Sequence, residues 1–224
     1  PHPPVWITMG GRSSTPPVAR HKHVGAVFLA GYPRIREIFD GYREDYLEMH
    51  GEHAPFDRLG YLGLVYVDDN EKRAREGAEK LLWYMNANKV PGYWSNPPGY
   101  HPPQIAARVL KGGGAGIGIP LTATLDDQMA RGNVFAGTPD QVYEQIKNFW
   151  EYSGGFGNML MMGQAGFVDH EETERSMRLY ADEVFPRLQE LEASTTPAEA
   201  WEKSKAMPQR ENVPLDGFAL EFVR

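Results

Sequence analysis

The stretch VGAVFLA at residues 24–30 decides the fold class, because its apolar residues follow one another without a polar interruption and end at Gly31. Such runs are typical of strands that are buried on both faces of a parallel sheet. In the helix predicted after it, apolar side chains recur at spacings of three and four. The predicted inward residues are Ile35, Ile38, Phe39, Tyr42, Tyr46 and Met49, and the predicted outward residues are Arg36, Glu37, Arg43, Glu44 and Glu48.

Strand-then-helix order is predicted three more times along the chain. Residues 5–9, 59–67 and 158–162 are short apolar or β-branched runs, each followed by a predicted helix. After the second of these runs, Asp68-Asp69-Asn70 caps a helix with five inward residues: Ala74, Ala78, Leu81, Leu82 and Met85. The last helix begins near His170 and continues towards Leu191. Its predicted inward residues are Met177, Tyr180, Val184 and Leu188, and Pro186 is predicted to kink it.

One further helix has the clearest start signal in the sequence. Thr138 is suited to the N-cap, Pro139 to the first helical position and Gln141 to the third, which together form a capping box. The apolar stripe of this helix is Val142, Ile146 and Phe149.

The alternation of four strands with helices predicts an α/β protein with a parallel sheet. Four β/α units correspond to half of a (β/α)₈ TIM barrel, which takes about 250 residues when complete. A half barrel leaves two unpaired edges that invite pairing with another chain. A small open α/β sheet fits the same periodicity, so the pattern alone leaves both architectures open.

Two regions lack this regular pattern. Residues 86–136 contain the run GGGAGIG at 112–118, preceded by Lys111 and by the aromatic residues Tyr93, Trp94 and Tyr100. This composition predicts either a lid that closes over a ligand or a disordered insertion. Residues 1–191 are therefore predicted to form a partial barrel domain with a lid insertion at 86–136. The tail at 192–224 is predicted to be peripheral.

Composition excludes several classes of protein. The chain has 224 residues, and Lys+Arg 23 against Asp+Glu 30 gives a net charge of −7. This argues against sequence-independent nucleic-acid binding, which needs surplus cations. No apolar run approaches the length of a membrane span, and the absence of Cys fits the reducing cytosol, so a cytoplasmic protein is expected. Because the chain begins at Pro1 rather than Met, we also expect an N-terminal part to be missing.

The turn between the first strand and its helix is the strongest candidate site. It comprises Gly10, Gly11, Arg12, Ser13, Ser14 and Thr15. Backbone N–H groups at a helix start bind anions, and parallel α/β folds place their sites at the carboxyl ends of strands, so this turn is a candidate phosphate cradle. A capped connection with a solvated Arg explains the same residues.

Other catalytic and metal-binding motifs are weak or missing. The glycine run 112–118 fits neither a P-loop nor a dinucleotide fingerprint, and the sequence has no G-x-S-x-G elbow. The pairs His21/His23 and His50/His53 lack an acidic partner at a known spacing, so no metal is expected. Gln164, after the last strand, is interpreted as a turn residue.

Read in order, these motifs resemble the C-terminal half of the bacterial-luciferase-like flavin-dependent monooxygenase family, and within it the limonene-monooxygenase-like branch. The resemblance extends from Pro1 to about Leu191. The matching segments are PPVWI (3–7), GGRSST (10–15), GTPDQ (137–141), GGFG (154–157), MMGQAG (161–166), EET (171–173), Ser176 and EVFP (183–186).

The resemblance implies a TIM barrel that binds reduced FMN, with the flavin phosphate held by Gly10–Thr15. It implies transfer of one oxygen atom of O₂ to a small organic substrate, with FMN supplied by a separate reductase, and a homodimer. The family's catalytic residues lie in the N-terminal half, so this chain alone is expected to be inactive. A deazaflavin-dependent hydride-transfer enzyme and a non-catalytic flavin-binding protein are the alternatives.

Overall fold

The computed structural model describes residues 2–87 and 124–210. The strands are β1 (Trp6–Thr8), β2 (Val24–Phe28), β3 (Leu59–Val67), β4 (Val134–Gly137) and β5 (Asn158–Met162). The helices are α1 (Thr15–Arg20), α2 (Gly31–His50), α3 (Glu71–Ala87), α4 (Leu125–Arg131), α5 (Pro139–Ser153), α6 (His170–Leu179), α7 (Phe185–Ala193) and α8 (Pro197–Lys205). Short 3₁₀ turns span Arg12–Ser14 and Phe56–Arg58, and a π turn spans Tyr180–Val184.

All described strand pairs are parallel, which confirms the predicted sheet. β1 pairs with β2, and β2, β4 and β5 all pair with β3. The carbonyl of Leu62 accepts the N–H of Leu29, and the N–H of Leu64 donates to the carbonyl of Asn133. Residues two apart in a strand point their backbone groups to the same edge. Hence β2 and β4 follow one another along one edge of β3, and β5 occupies the other edge.

The strand β4 was not among the predicted strands. α4 and most of β4 lie inside the segment 86–136 that was expected to be irregular, so the described end of this segment is regular from Leu125 onwards. The four residues of β4 are too few to show a period, and the strand is defined by its pairing with Leu64–Val67 of β3. Residues 88–123, including Lys111, Tyr93, Trp94, Tyr100 and the glycine run, lie outside the described residues.

Two hydrophobic clusters cover opposite faces of β3. Tyr61 and Val65 pack with residues of α1, α2 and α5, whereas Leu64 and Tyr66 pack with residues of α3 and α4. The predicted inward residues of α3 and α5 are all buried. This burial fixes the carboxyl end of β3 between two helical layers.

In the described part of the chain, β1, β5 and the end of β2 carry exposed or partly exposed side chains. A Cβ on Gly60 of β3 would lie 3.1 Å from the ring of Trp6 and 3.3 Å from Leu160. The Trp6 side chain of β1 thus reaches across β2 to Gly60 of β3. Trp6 is 43% exposed and Phe28 is 42% exposed. β1 is therefore exposed along its length, although its residues are apolar or β-branched, and β5 is half-buried along its length.

The helix α2 departs from its predicted pattern at three positions. Met49, predicted inward, is 38% exposed, while Arg36 and Arg43, predicted outward, are buried. Arg43 donates to the carbonyls of Ser153 at 2.7 Å and Gly154 at 2.8 Å, and also to that of Gly155. These carbonyls are the free acceptors at the end of α5, and a buried guanidinium satisfies them.

The helix predicted to be kinked by Pro186 is interrupted in the structure. The helix predicted from His170 is divided into α6, the π turn and α7, with Pro186 in the first turn of α7. Tyr180 and Val184 are buried as predicted, but Met177 is 53% exposed. The capping box of Thr138 and Gln141 is confirmed.

Part of the predicted peripheral tail, 192–224, is packed onto the domain. Trp201 of α8 is buried, and its indole N–H donates to Asp40 of α2 at 2.9 Å. Residues 211–224 lie outside the described residues.

Candidate anion-binding site at the carboxyl end of β1

The segment from Gly10 to Thr15 lies at the carboxyl end of β1 and leads directly into α1. Gly10 is exposed, and a Cβ there would meet no atom within 4 Å. Ser14 donates its hydroxyl to the carbonyl of Gly11 at 2.6 Å, which closes the turn, and Ser13 is exposed. The first N–H groups of a helical turn have no acceptor within the helix, so the amides of Arg12 and Ser13 are unused by the turn itself.

Arg12 is held by α2 rather than directed to solvent. Its Nη1 and Nη2 donate to the two carboxylate oxygens of Asp45 at 2.6 and 2.8 Å, and Glu44 lies 3.7 Å away. The stem of Arg12 lies against Gly41, where a Cβ would be only 2.2 Å from it. The hydrogen bond with Asp45 raises the pKa of Arg12. The arginine that was expected to face an anion therefore has a carboxylate partner already.

Thr15 belongs to the same cluster and is buried. Its hydroxyl accepts from Arg12 Nη1 at 2.5 Å and lies 2.5 Å from Asp45 Oδ2. The cluster neutralises the buried carboxylate and fixes the start of α1. Of the six predicted residues, Arg12, Ser14 and Thr15 consequently build the turn, while Gly10 and Ser13 are exposed and Gly11 is partly exposed.

A second arginine, which the sequence reasoning missed, reaches the turn from α2. Arg34 lies in the first turn of α2, and its Nη2 donates to the carbonyl of Gly10. The same nitrogen lies 3.4 Å from the position of a Cβ on Gly11. Since Arg34 follows β2, the neighbour of β1, a survey of cations after adjacent strands would have identified it.

The connection from β2 to α2 has a constrained backbone. Leu29 has φ 45° and Gly31 has φ 69°, both in the left-handed region, and the N–H of Leu29 is bonded to Leu62 at 3.1 Å. A side chain other than glycine in this region costs about 1–3 kcal/mol and persists only where its surroundings hold it. This tight connection sets the position of Arg34 relative to β1.

The carboxyl end of β3 carries a different charged cluster. Asp68 is fully buried, with Arg73 Nη2 at 2.9 Å and Arg175 Nε at 3.1 Å. Burial acts to raise the pKa of Asp68, but the hydrogen bonds from Arg73 and the N–H of Asn70 outweigh it and lower the pKa. This cluster joins β3 to α3 and α6 and serves stability.

Neither histidine pair is part of a metal-like cluster. Within ranges 2–87 and 124–210, no three His, Asp or Glu side chains are grouped so that they could hold a metal ion. The rings of His21 and His23 are stacked 5.4 Å apart, and His50 Nε2 lies 2.9 Å from the carbonyl of Ala19. In the same ranges, every helix is too short or too polar to cross a lipid bilayer.

Comparison with known proteins identifies the fold. No family profile and no curated protein sequence matches the chain. Among solved structures, the monooxygenase RslO1 from Streptomyces bottropensis matches with a TM-score of 0.58 and 19% identity over 84% of this chain and 49% of that one. The oxygenating constituent of 3,6-diketocamphane monooxygenase from Pseudomonas putida, solved with FMN, matches with a TM-score of 0.54 and 19% identity over 82% of this chain and 48% of that one.

A third match is the coenzyme F420-dependent tetrahydromethanopterin reductase from Methanopyrus kandleri, with a TM-score of 0.53, 16% identity and coverage of 82% of this chain and 50% of that one. These structures are TIM barrels, and the chain spans about half the length of each. The chain therefore has the α/β fold of half such a barrel, as predicted. This result also decides between the half barrel and the small open sheet.

Proposed function

We propose that this chain is the C-terminal half of a flavin-dependent monooxygenase that uses reduced FMN and O₂ to oxidise a small organic substrate. The observation that carries the proposal is an exposed glycine turn, with a cation beside it, at the carboxyl end of β1 in a luciferase-like half barrel. Two of the matched structures are monooxygenases, one of them solved with FMN. The limonene-monooxygenase-like branch rests on the sequence motifs and is part of the proposal.

The turn fits a phosphate group on steric and electrostatic grounds. The open side of Gly10 lets an anion approach the backbone without a side chain intervening. The nearest buried carboxylate, Asp45, is paired with Arg12 and so repels an anion less than a free carboxylate would. In this proposal the backbone N–H groups of Gly10, Arg12 and Ser13 and the hydroxyl of Ser13 hold the FMN phosphate beside Gly11, while the side chains of Arg12, Ser14 and Thr15 keep the turn in shape.

Bound reduced FMN supplies the activation of O₂, and the protein supplies binding, orientation and exclusion of water. The turn fixes the phosphate end of the cofactor relative to the strand ends. From there the remainder of the cofactor extends towards the mouth of the barrel, which the carboxyl ends of the strands form. We assign no acid or base to these residues and expect such groups in the other half of the barrel.

The proposed partners follow from the same account. A separate reductase supplies reduced FMN in the cytoplasm, and the complete enzyme is a homodimer that binds a small organic substrate and O₂. The chain by itself is expected to bind the cofactor without turnover. Fusion to the N-terminal half of a related barrel is expected to give oxygen consumption above the rate of free reduced FMN.

A deazaflavin-dependent hydride transfer is the second candidate, because one matched structure is an F420-dependent reductase. A non-catalytic flavin-binding protein is the third, because the proposed phosphate contacts need no catalytic residue. Titration of the chain with FMN and with a deazaflavin separates the first two. Oxygen consumption by the fused barrel above the rate of free reduced FMN would distinguish the first candidate from the third, the non-catalytic flavin-binding protein.

A matched pair of variants at Gly10 tests the proposed phosphate position. Gly10→Asp places a carboxylate in the open space, and Gly10→Asn places a neutral group of the same shape there. We expect Gly10→Asp to bind FMN at least about tenfold more weakly than Gly10→Asn, because like charges close together cost more than 1 kcal/mol. Riboflavin, which lacks the phosphate, should bind both variants equally. Equal FMN affinities in the two variants would overturn the assignment.

A further inference from the structure

We propose that Arg34, and not Arg12, is the side chain that recognises the phosphate of the flavin. The inference rests on the proposed function and identifies a specificity-determining residue for the same site. It follows from how the two arginines are paired in the described part of the chain.

Arg12 is already committed to a carboxylate, Asp45. Both of its terminal nitrogens are hydrogen-bonded to Asp45, and Nη1 also contacts the hydroxyl of Thr15. Asp45 is buried, so moving Arg12 to a ligand would leave a buried carboxylate without its partner. Gly41 lets the stem of Arg12 lie directly on α2, which holds the side chain in this orientation.

Arg34 has the opposite arrangement. Its hydrogen bond to the carbonyl of Gly10 uses one donor, whereas a guanidinium carries five N–H groups. Within residues 2–87 and 124–210, no carboxylate lies within ion-pair distance of Arg34, and its side chain is partly exposed. The remaining donors form a planar fork that matches two oxygens of a phosphate.

The position of Arg34 places this fork against the turn itself. The bond to Gly10 anchors one nitrogen, and the same nitrogen lies 3.4 Å from the Cβ position of Gly11. The open side of Gly10 therefore has a cation next to it. Because the charge comes from α2 and the backbone from the β1 turn, the site joins two neighbouring β/α units.

The recognised feature is a terminal phosphate, so Arg34 should distinguish FMN from riboflavin. The test measures the dissociation constants of both flavins by fluorescence titration with the full chain and with the variants Arg34→Ala, Arg34→Lys and Arg20→Ala. Arg20 is an exposed arginine at the end of α1, so its removal changes the net charge equally and serves as the control. Thermal unfolding of each variant checks that the fold is kept.

We expect Arg34→Ala to weaken FMN binding by about tenfold to a hundredfold, as for loss of a hydrogen bond to a charged group, and to leave riboflavin binding unchanged. Arg34→Lys should recover part of the loss, and Arg20→Ala should change neither constant by more than about twofold. Unchanged FMN binding by Arg34→Ala, or an equal loss for both flavins, would overturn the role of Arg34 while leaving flavin binding intact. If the unmodified chain bound neither flavin, the proposed function itself would fail, and this inference with it.

Discussion

The indole N–H of Trp201 donates to Oδ1 of Asp40 at 2.9 Å and so joins α8, near the end of the described chain, to the middle of α2. Trp201 is 4% exposed. Replacing Trp201 with Ala should lower the free energy of unfolding by about 3–5 kcal/mol, as for other buried aromatic residues. Trp201→Phe should lose less, because most of the packing remains. Urea unfolding measures both values, and an Ala variant as stable as the original chain would show that α8 does not support the domain.

Asp68 predicts a specific response to acid. Its pKa is lowered from the ordinary 3.8, so the stability it contributes is complete above that value and is lost as the pH falls through the lower pKa of the folded state. Asp68→Asn should be less stable at pH 7 by about 1.5–3 kcal/mol, because the charge-assisted hydrogen bonds from Arg73 and Arg175 are weakened. Between pH 5 and pH values below the pKa of Asp68, the free energy of unfolding of the variant should also fall less than that of the original chain.

The control for this prediction is Asp69→Asn, because the Asp69 side chain is 69% exposed and pairs with Arg73 at the surface. Its stability at pH 7 should change by less than about 1 kcal/mol. Parallel acid profiles for Asp68→Asn and the original chain would contradict the account of the Asp68 cluster.

Arg43 should be among the most sensitive positions in the domain. It is buried, and its guanidinium satisfies the carbonyls of Ser153, Gly154 and Gly155. Burial lowers the pKa of Arg43 to about 10, and Asp40 partly opposes this effect. Arg43→Met keeps a long side chain but leaves the carbonyls unpaired, so we expect a loss of about 3 kcal/mol or more in chemical unfolding. Glu44→Gln, at an exposed neighbouring position, should change stability by less than about 1 kcal/mol.

Exposed aromatic side chains on β1 and β2 predict self-association that polar substitution reduces. Trp6 and Phe28 are exposed on neighbouring strands, and exposed large apolar side chains close together favour association. The double variant Trp6→Thr, Phe28→Thr should shift light-scattering mass towards monomer and bind less of a hydrophobic dye. Met177→Thr, an exposed apolar position on α6, is the control. An unchanged mass distribution in the double variant would show that this face is not a contact surface.

The sequence predicts the order and parallel arrangement of the main strands because each of these runs carries its own apolar pattern. The capping box at Thr138 and Gln141 is likewise a local signal, and it appears in the structure as predicted. Local signals do not predict contacts whose partners come from distant parts of the chain. The strand β4 exists through its pairing with β3, and Arg43 is buried because three carbonyls near residue 154 need donors.

The candidate site shows the same division. A glycine turn at the carboxyl end of a strand can be found from the sequence, and the structure places it at that position. The roles of its side chains depend on α2, since Asp45 pairs with Arg12 and Arg34 reaches Gly10 from another β/α unit. Helical periodicity assigns these residues to faces of α2, but it does not say which of them meets the turn.

The central claim, that the turn after β1 binds the phosphate of a flavin, is tested most directly by mapping backbone amide shifts in an isotopically labelled chain during titration with FMN and then with riboflavin. The account predicts that FMN shifts the amides of Gly10, Gly11, Arg12 and Ser13 most strongly, and that riboflavin leaves them nearly unchanged. Shifts confined to other regions, or equal shifts of these four amides with both flavins, would contradict it.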